Sequence, residues 1–139
     1  MRIKQLLIGI TASVIAISSY VEIAIADLKF PMLVYRTGAY APNGIPNADG
    51  FVDYYKMINA RDGGIGGEKI FHPECETGYK TQVGVECYEK NKKDAMVFQP
   101  MSTGITYQLI PKATADGVTV YSTGYGRTSA ANGKVFKWI

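Results

Sequence analysis

The chain has 139 residues, 47% of them hydrophobic and 19% charged, with a formal net charge of +3. This is an ordinary globular composition, sufficient for one modest domain and unlike the biased compositions of disordered or collagen-like chains. The small, scattered positive excess forms no basic stripe, so no nucleic-acid partner is expected.

The first 26 residues read as a secretory signal peptide rather than as fold. Met1-Arg2-Ile3-Lys4 is a short basic start, and Leu6 to Ile17 is apolar apart from Gly9, Thr11 and Ser13. Ala24-Ile25-Ala26 then offers an A-x-A cleavage motif before Asp27. A membrane anchor is the weaker reading, because the clean apolar run is shorter than the roughly 20 residues a spanning helix needs. Residues 27–139 are left as the exported chain.

Phe30 to Tyr35 is apolar along nearly its whole length, as a strand buried between helices should be. Arg36 to Asn47, rich in Gly and Pro, is expected to be a loop. A helix follows over Ala48–Arg61, where Ala48, Phe51, Val52, Tyr55 and Ile58 recur at spacings of three and four. Asp62-Gly63-Gly64-Ile65-Gly66-Gly67 superficially matches a nucleotide fingerprint. It follows a helix and precedes a strand, the reverse of what dinucleotide binding requires, and is better read as a helix stop and tight turn.

The second strand is placed at Glu68–Cys75, followed by a polar turn over Glu76–Lys80 and a helix over Thr81–Lys92 with Thr81 as N-cap. Glu86 with Lys90, and Glu89 with Lys93, stand at the helpful i,i+4 spacing. Cys75 and Cys87 are the only cysteines. An even count in an exported chain suggests a Cys75–Cys87 disulfide; two buried free thiols are the alternative. Two cysteines and one histidine without C-x-x-C spacing make a poor zinc site, and no metal or cofactor is expected.

Ala95–Gln99 reads as the third strand and Thr103–Asp116 as the third helix, with Pro111 expected to kink or split it. Val118–Ser122 is the fourth strand, Gly124–Gly133 a loop, and Val135–Ile139 the start of a fifth strand. Strands alternating with helical patterns imply βαβ units: an α/β fold with an open, mostly parallel sheet and helices on both faces.

Ligands of such sheets sit at the carboxyl ends of strands. Three segments there combine glycine with hydroxyl or aromatic groups: Thr37–Gly44, Pro100–Gly104 and Gly124–Ser129. The second and third could aim backbone N–H groups and hydroxyls at an anion such as a carboxylate. Tyr40 or Tyr125 could cover an apolar part of the same ligand. The plain alternative for each loop is punctuation plus a helix cap, with Ser102 as an ordinary cap residue. Arg127 is equally a carboxylate ligand or a surface charge. Catalysis finds little support: His72 is the sole histidine, and Ser102 lacks a G-x-S-x-G elbow.

Several segments together resemble a known family. Phe30–Gly44, Asn59–Ile65, Glu74–Tyr79, Gly84–Glu89, Ser102–Tyr107 and Gly124–Ala130 are similar, in order, to the opening lobe of solute-binding proteins of branched-chain amino-acid or amide ABC transporters. The resemblance implies a type I periplasmic binding fold, in which two α/β lobes close on a small solute and the loaded protein docks on a membrane permease. It implies no enzymatic activity and no cofactor. Carried over by position, Ser102 and Thr103, then Gly124, Tyr125, Arg127 and Thr128, would hold a ligand carboxylate, and Tyr40 would add an aromatic contact. Residues 27–139 would form a partial N-terminal lobe, since the family's proteins are much longer. An exported α/β hydrolase using Ser102 and the ligand-binding lobe of a sensory receptor are the competing readings.

Overall fold

The computed structural model describes residues 27–123. The signal peptide read over residues 1–26, the Gly124–Gly133 loop and the Val135–Ile139 strand lie outside the described residues.

Each of the first two expected strands comes in two short pieces. Leu28–Lys29 (β1), which precedes the expected Phe30–Tyr35, is followed by Met32–Val34 (β2) within it; the second strand is Ile70–Phe71 (β3) and Glu74–Glu76 (β4). Proline causes both interruptions, since Pro31 and Pro73 have no N–H to give to a ladder. The breaks lie side by side and remain bonded: the Phe30 N–H donates to the Phe71 carbonyl at 2.8 Å, and the Met32 N–H to the Pro73 carbonyl at 2.9 Å. Val97–Pro100 (β5) and Thr119–Val120 (β6) complete the strands among the described residues.

All pairings between these strands are parallel. β1 and β3 form a two-stranded sheet, and the main sheet runs β4-β2-β5-β6. From β2 the chain crosses outward to β4, then returns to the opposite side for β5 and β6. The order therefore reverses between β2 and β5.

Alternation along β2 divides the core. Leu33 faces one cluster with Tyr88, Phe98, Ile105, Leu109 and Val120. Met32 and Val34 face the other, with Tyr35, Ala48, Tyr55, Ile70 and Met101. The first cluster is roofed by helices Thr81–Asn91 (α2) and Thr103–Asp116 (α3), the second by Ala41–Arg61 (α1). Helices thus cover both faces, which explains why all three residues of β2 are buried.

Helix α1 departs most from expectation. It begins at Ala41, seven residues before Ala48, and so absorbs half of the expected Arg36–Asn47 loop. Pro42 falls in the first turn, where a missing N–H costs nothing. Pro46 lies inside the helix and removes one backbone bond. Tertiary packing overrides that loss: Ala48 is fully buried, and Gly44 lies so close to Tyr35 that a Cβ would overlap its carbonyl oxygen and ring.

Smaller corrections have local causes. Thr81 is not the cap of α2: Lys80 occupies that position and makes no side-chain cap bond. Glu89 pairs with Lys92 at 2.9 Å and Lys112 at 3.0 Å rather than with Lys93, and Glu86 accepts from the Gln82 amide. Helix α3 is unbroken at Pro111 and ends on Gly117, whose φ of 69° suits glycine. Cys75 of β4 and Cys87 of α2 are joined in a disulfide, with their Cα atoms 5.9 Å apart. Among the described residues no helix is long and apolar enough to cross a membrane.

Candidate functional site

The carboxyl ends of β2, β4 and β5 and the first turns of α1 and α3 meet at one edge of the sheet. A cleft of about 540 Å³ opens there. It straddles the β2/β5 reversal, the place where open parallel sheets bind ligands, because the outgoing connections diverge to opposite faces and leave a crevice. Tyr35, Phe51, Tyr79 and Met101 supply its apolar surface. Asn43, Asn47, Thr103 and Thr123 supply its polar surface. None of these lining side chains is charged.

Each member is placed by a local rule. Tyr35 follows the buried run of β2. Asn43, Asn47 and Phe51 recur every four residues along α1 and therefore share one stripe of the helix. Met101 extends β5, and its N–H donates to the Leu33 carbonyl at 3.1 Å. Thr103 is the first residue of α3. Tyr79 follows Gly78 in the turn from β4 to α2 and holds a positive φ of 63°, a conformation uncommon for a bulky side chain.

The aromatic groups form a connected set. Tyr79 meets Tyr35 edge-on with centroids 4.8 Å apart, and Tyr40 lies tilted against Tyr79 at 4.5 Å. Tyr40 is 54% exposed and extends this set outward at the rim, beyond the lining residues themselves.

Beneath the aromatic set, Glu76 ties two loops together. Its carboxylate accepts from the Arg36 N–H at 2.8 Å, the Thr37 hydroxyl at 3.1 Å and the Gly78 N–H at 2.7 Å. Loss of water pushes the carboxyl's pKa up, but these donors outweigh that effect and hold it below the ordinary value. Arg36 in turn bonds Glu74 through Nε at 2.6 Å and Asp49 of α1 through Nη1 at 2.7 Å. Its guanidinium is held above its ordinary value by those two partners, Glu74 foremost. The mouth of β2, the end of β4 and α1 are therefore joined by one charged network.

Of the sequence-predicted site residues, Thr103 lines the cleft. Ser102 is only 4% exposed and caps α3, its hydroxyl accepting from the Ile105 N–H at 3.4 Å. In that bond the hydroxyl oxygen acts as the acceptor. Gly124, Tyr125, Arg127 and Thr128 lie outside the described residues. His72 stacks on Tyr55 of α1, with centroids 5.5 Å apart, and is not among the cleft residues. Sequence reasoning did not name Asn43, Asn47, Phe51 or Tyr79 as site residues, although Asn43 lies within the candidate loop Thr37–Gly44. The first three carried a usable signal, their i, i+4, i+8 spacing, hidden by reading Pro42, Gly44 and Pro46 as loop punctuation.

An open parallel sheet with helices on both faces, and a cleft at its switch point lined among the described residues by neutral polar and apolar side chains, matches the first-lobe architecture of a type I periplasmic binding fold. A profile of the periplasmic binding protein family matches residues 27–139, and the chain belongs to that family. A crystal structure described as an ABC transporter permease from the Pseudomonas fluorescens group is 40% identical, with a TM-score of 0.71 over 79% of this chain and 28% of that one. The branched-chain amino acid transporter substrate-binding protein of Streptococcus pneumoniae, in complex with isoleucine, is 21% identical, with a TM-score of 0.64 over 76% of this chain and 32% of its own. A solute-binding protein of an ABC transporter from R. palustris, in complex with benzoate, is also 21% identical, with a TM-score of 0.57 over 70% and 27%. The last two show likeness of fold alone. The chain spans about a third or less of the length of each. No curated protein matches.

Proposed function

We propose that this chain contributes the first wall of a periplasmic solute-binding protein that delivers a small amino-acid-like or amide solute to the permease of an ABC importer. The observation that supports this reading is the position of the cleft: about 540 Å³ at the sheet's switch point, lined by neutral polar and aromatic side chains. In this reading the hydroxyls of Thr103 and Ser102 donate to a ligand carboxylate at the start of α3, where the helix dipole favours negative charge. Tyr40 shields the apolar part of the ligand. Gly124, Tyr125, Arg127 and Thr128 complete the carboxylate grip, an assignment carried by the family resemblance. Export through a signal peptide cleaved before Asp27 belongs to the same proposal.

Reversible binding is favoured over hydrolysis by two placements. The Ser102 hydroxyl is engaged as a helix cap, and His72 packs against Tyr55 instead of beside Ser102. A serine nucleophile needs a base within hydrogen-bond reach.

The test is thermal unfolding and calorimetry of the protein that carries this chain, against a panel of L-amino acids, aromatic acids and short amides. A true ligand at 100 times its Kd should stabilise the fold by about 2.7 kcal/mol. Thr103→Val should weaken that ligand by about tenfold, the value of a hydrogen bond to a charged group. A panel without a single stabilising member, or turnover of an amide or ester, overturns the proposal.

A further inference from the structure

The polar half of the cleft contains two carboxamides, Asn43 and Asn47, that belong to α1. They stand one helical turn apart on one face, and Phe51 extends the same stripe. Neither amide side chain has a hydrogen-bond partner among the described residues, although Asp49 and Asn59 on the same helix are both engaged. Asn47 is half-buried and Asn43 exposed at the opening. They stand where they do because Gly44 between them allows α1 to press against Tyr35.

An asparagine offers two donors and one acceptor oxygen, and carries no charge at any accessible pH. Two such groups side by side match a ligand group that itself both donates and accepts, such as a carboxamide or urea. A carboxylate matches them poorly: it can use the N–H donors but leaves both carbonyl oxygens facing another acceptor. We infer that Asn43 and Asn47 form a specificity subsite on α1 that selects solutes presenting an uncharged carboxamide-like group, with the apolar body of the solute lying against Tyr79 and Phe51. The inference rests on the proposed solute-binding function and narrows it.

The experiment compares matched ligands that keep the α-carboxylate and differ only in that group: L-asparagine with L-aspartate, and L-glutamine with L-glutamate. Affinities are measured by calorimetry on the protein carrying this chain and on its Asn43→Ala/Asn47→Ala variant. Alanine is the better helix former, so the unliganded variant should unfold at or above the wild-type temperature. In the wild type, at least one amide should bind about tenfold or more tightly than its acid, the size expected from one or two hydrogen bonds. In the variant that preference should fall to within about twofold. Acids that in both pairs bind as tightly as their amides, or an amide preference that survives the double substitution, overturn the subsite and leave solute capture standing. Absence of binding by these four and by the wider panel overturns both.

Discussion

Gly44 and Tyr79 show how single residues shape the cleft. A Cβ at Gly44 would collide with the backbone and ring of Tyr35, whereas one at Gly50, further along the same helix, would meet nothing within 4 Å. Gly50→Ala should therefore stabilise the fold by up to about 1 kcal/mol through helix propensity. Gly44→Ala should destabilise it by about 1–3 kcal/mol despite the same propensity gain, because α1 must move off Tyr35. Urea unfolding of the two variants reads the opposite signs directly. Tyr79 holds its ring in place at the cost of a left-handed backbone. Asparagine tolerates that conformation, so Tyr79→Asn should relieve strain while losing the ring contacts with Tyr35 and Tyr40. Stability should change by less than about 1 kcal/mol. Solute affinity should fall about tenfold or more, since the ring is part of the cleft floor. Equal affinity in calorimetry would remove Tyr79 from the site.

The elements behave as joined pairs. β4 is an edge strand of three residues, with exposed glutamates at both ends. It is held by Cys75–Cys87 to α2 and by Glu74 and Glu76 to the Arg36 network. Reduction of the disulfide should lower stability by about 3 kcal/mol, the loop-closure term for so short a loop, seen as a lower urea midpoint in dithiothreitol. An unchanged midpoint would show that the ion pairs and ladder bonds hold β4 alone. α2 and α3 are pressed together at Gly84, where a Cβ would lie 2.6 Å from Ile105. The strands and helices were largely legible as a series, because hydrophobic period and Gly-rich stops are local signals. α3 spans Thr103–Asp116 as read, since Ser102 before it and Gly117 after it are local caps. α1 was not legible at its start. Pro42, Gly44 and Pro46 are loop residues by local preference, and only contact with Tyr35 makes their helical conformation favourable.

At the scale of the molecule, two cores on either side of one sheet each enclose a tyrosine hydroxyl. Tyr55 belongs to the α1 core, where burial pushes its hydroxyl up to about 12. Tyr88 belongs to the α2/α3 core and bonds Asp116 at 2.9 Å; burial, then that carboxylate, raises it further. Unfolding releases both to the ordinary value near 10, so the native state binds more protons than the unfolded chain above that pH. The stability from this difference is complete below pH 10 and is lost as pH rises through the folded values. Urea midpoints should therefore fall between about pH 10 and 12, and Tyr55→Phe should flatten part of that fall. A midpoint independent of pH over this range would mean that neither hydroxyl is kept from water.

The sequence by itself determined the alternation of strand and helix, the sheet's α/β class, the edge of the sheet at which to look, and family membership through ordered segments. All of these reside in local periodicity or in residue identity along the chain. Tertiary structure alone decided that the loop after the first strand is half helix and that Asn43, Asn47, Phe51 and Tyr79 share a cleft. Those outcomes depend on which surfaces meet across the sheet, where the burial of Gly44 and Ala48 against Tyr35 outweighs what each short stretch would prefer alone.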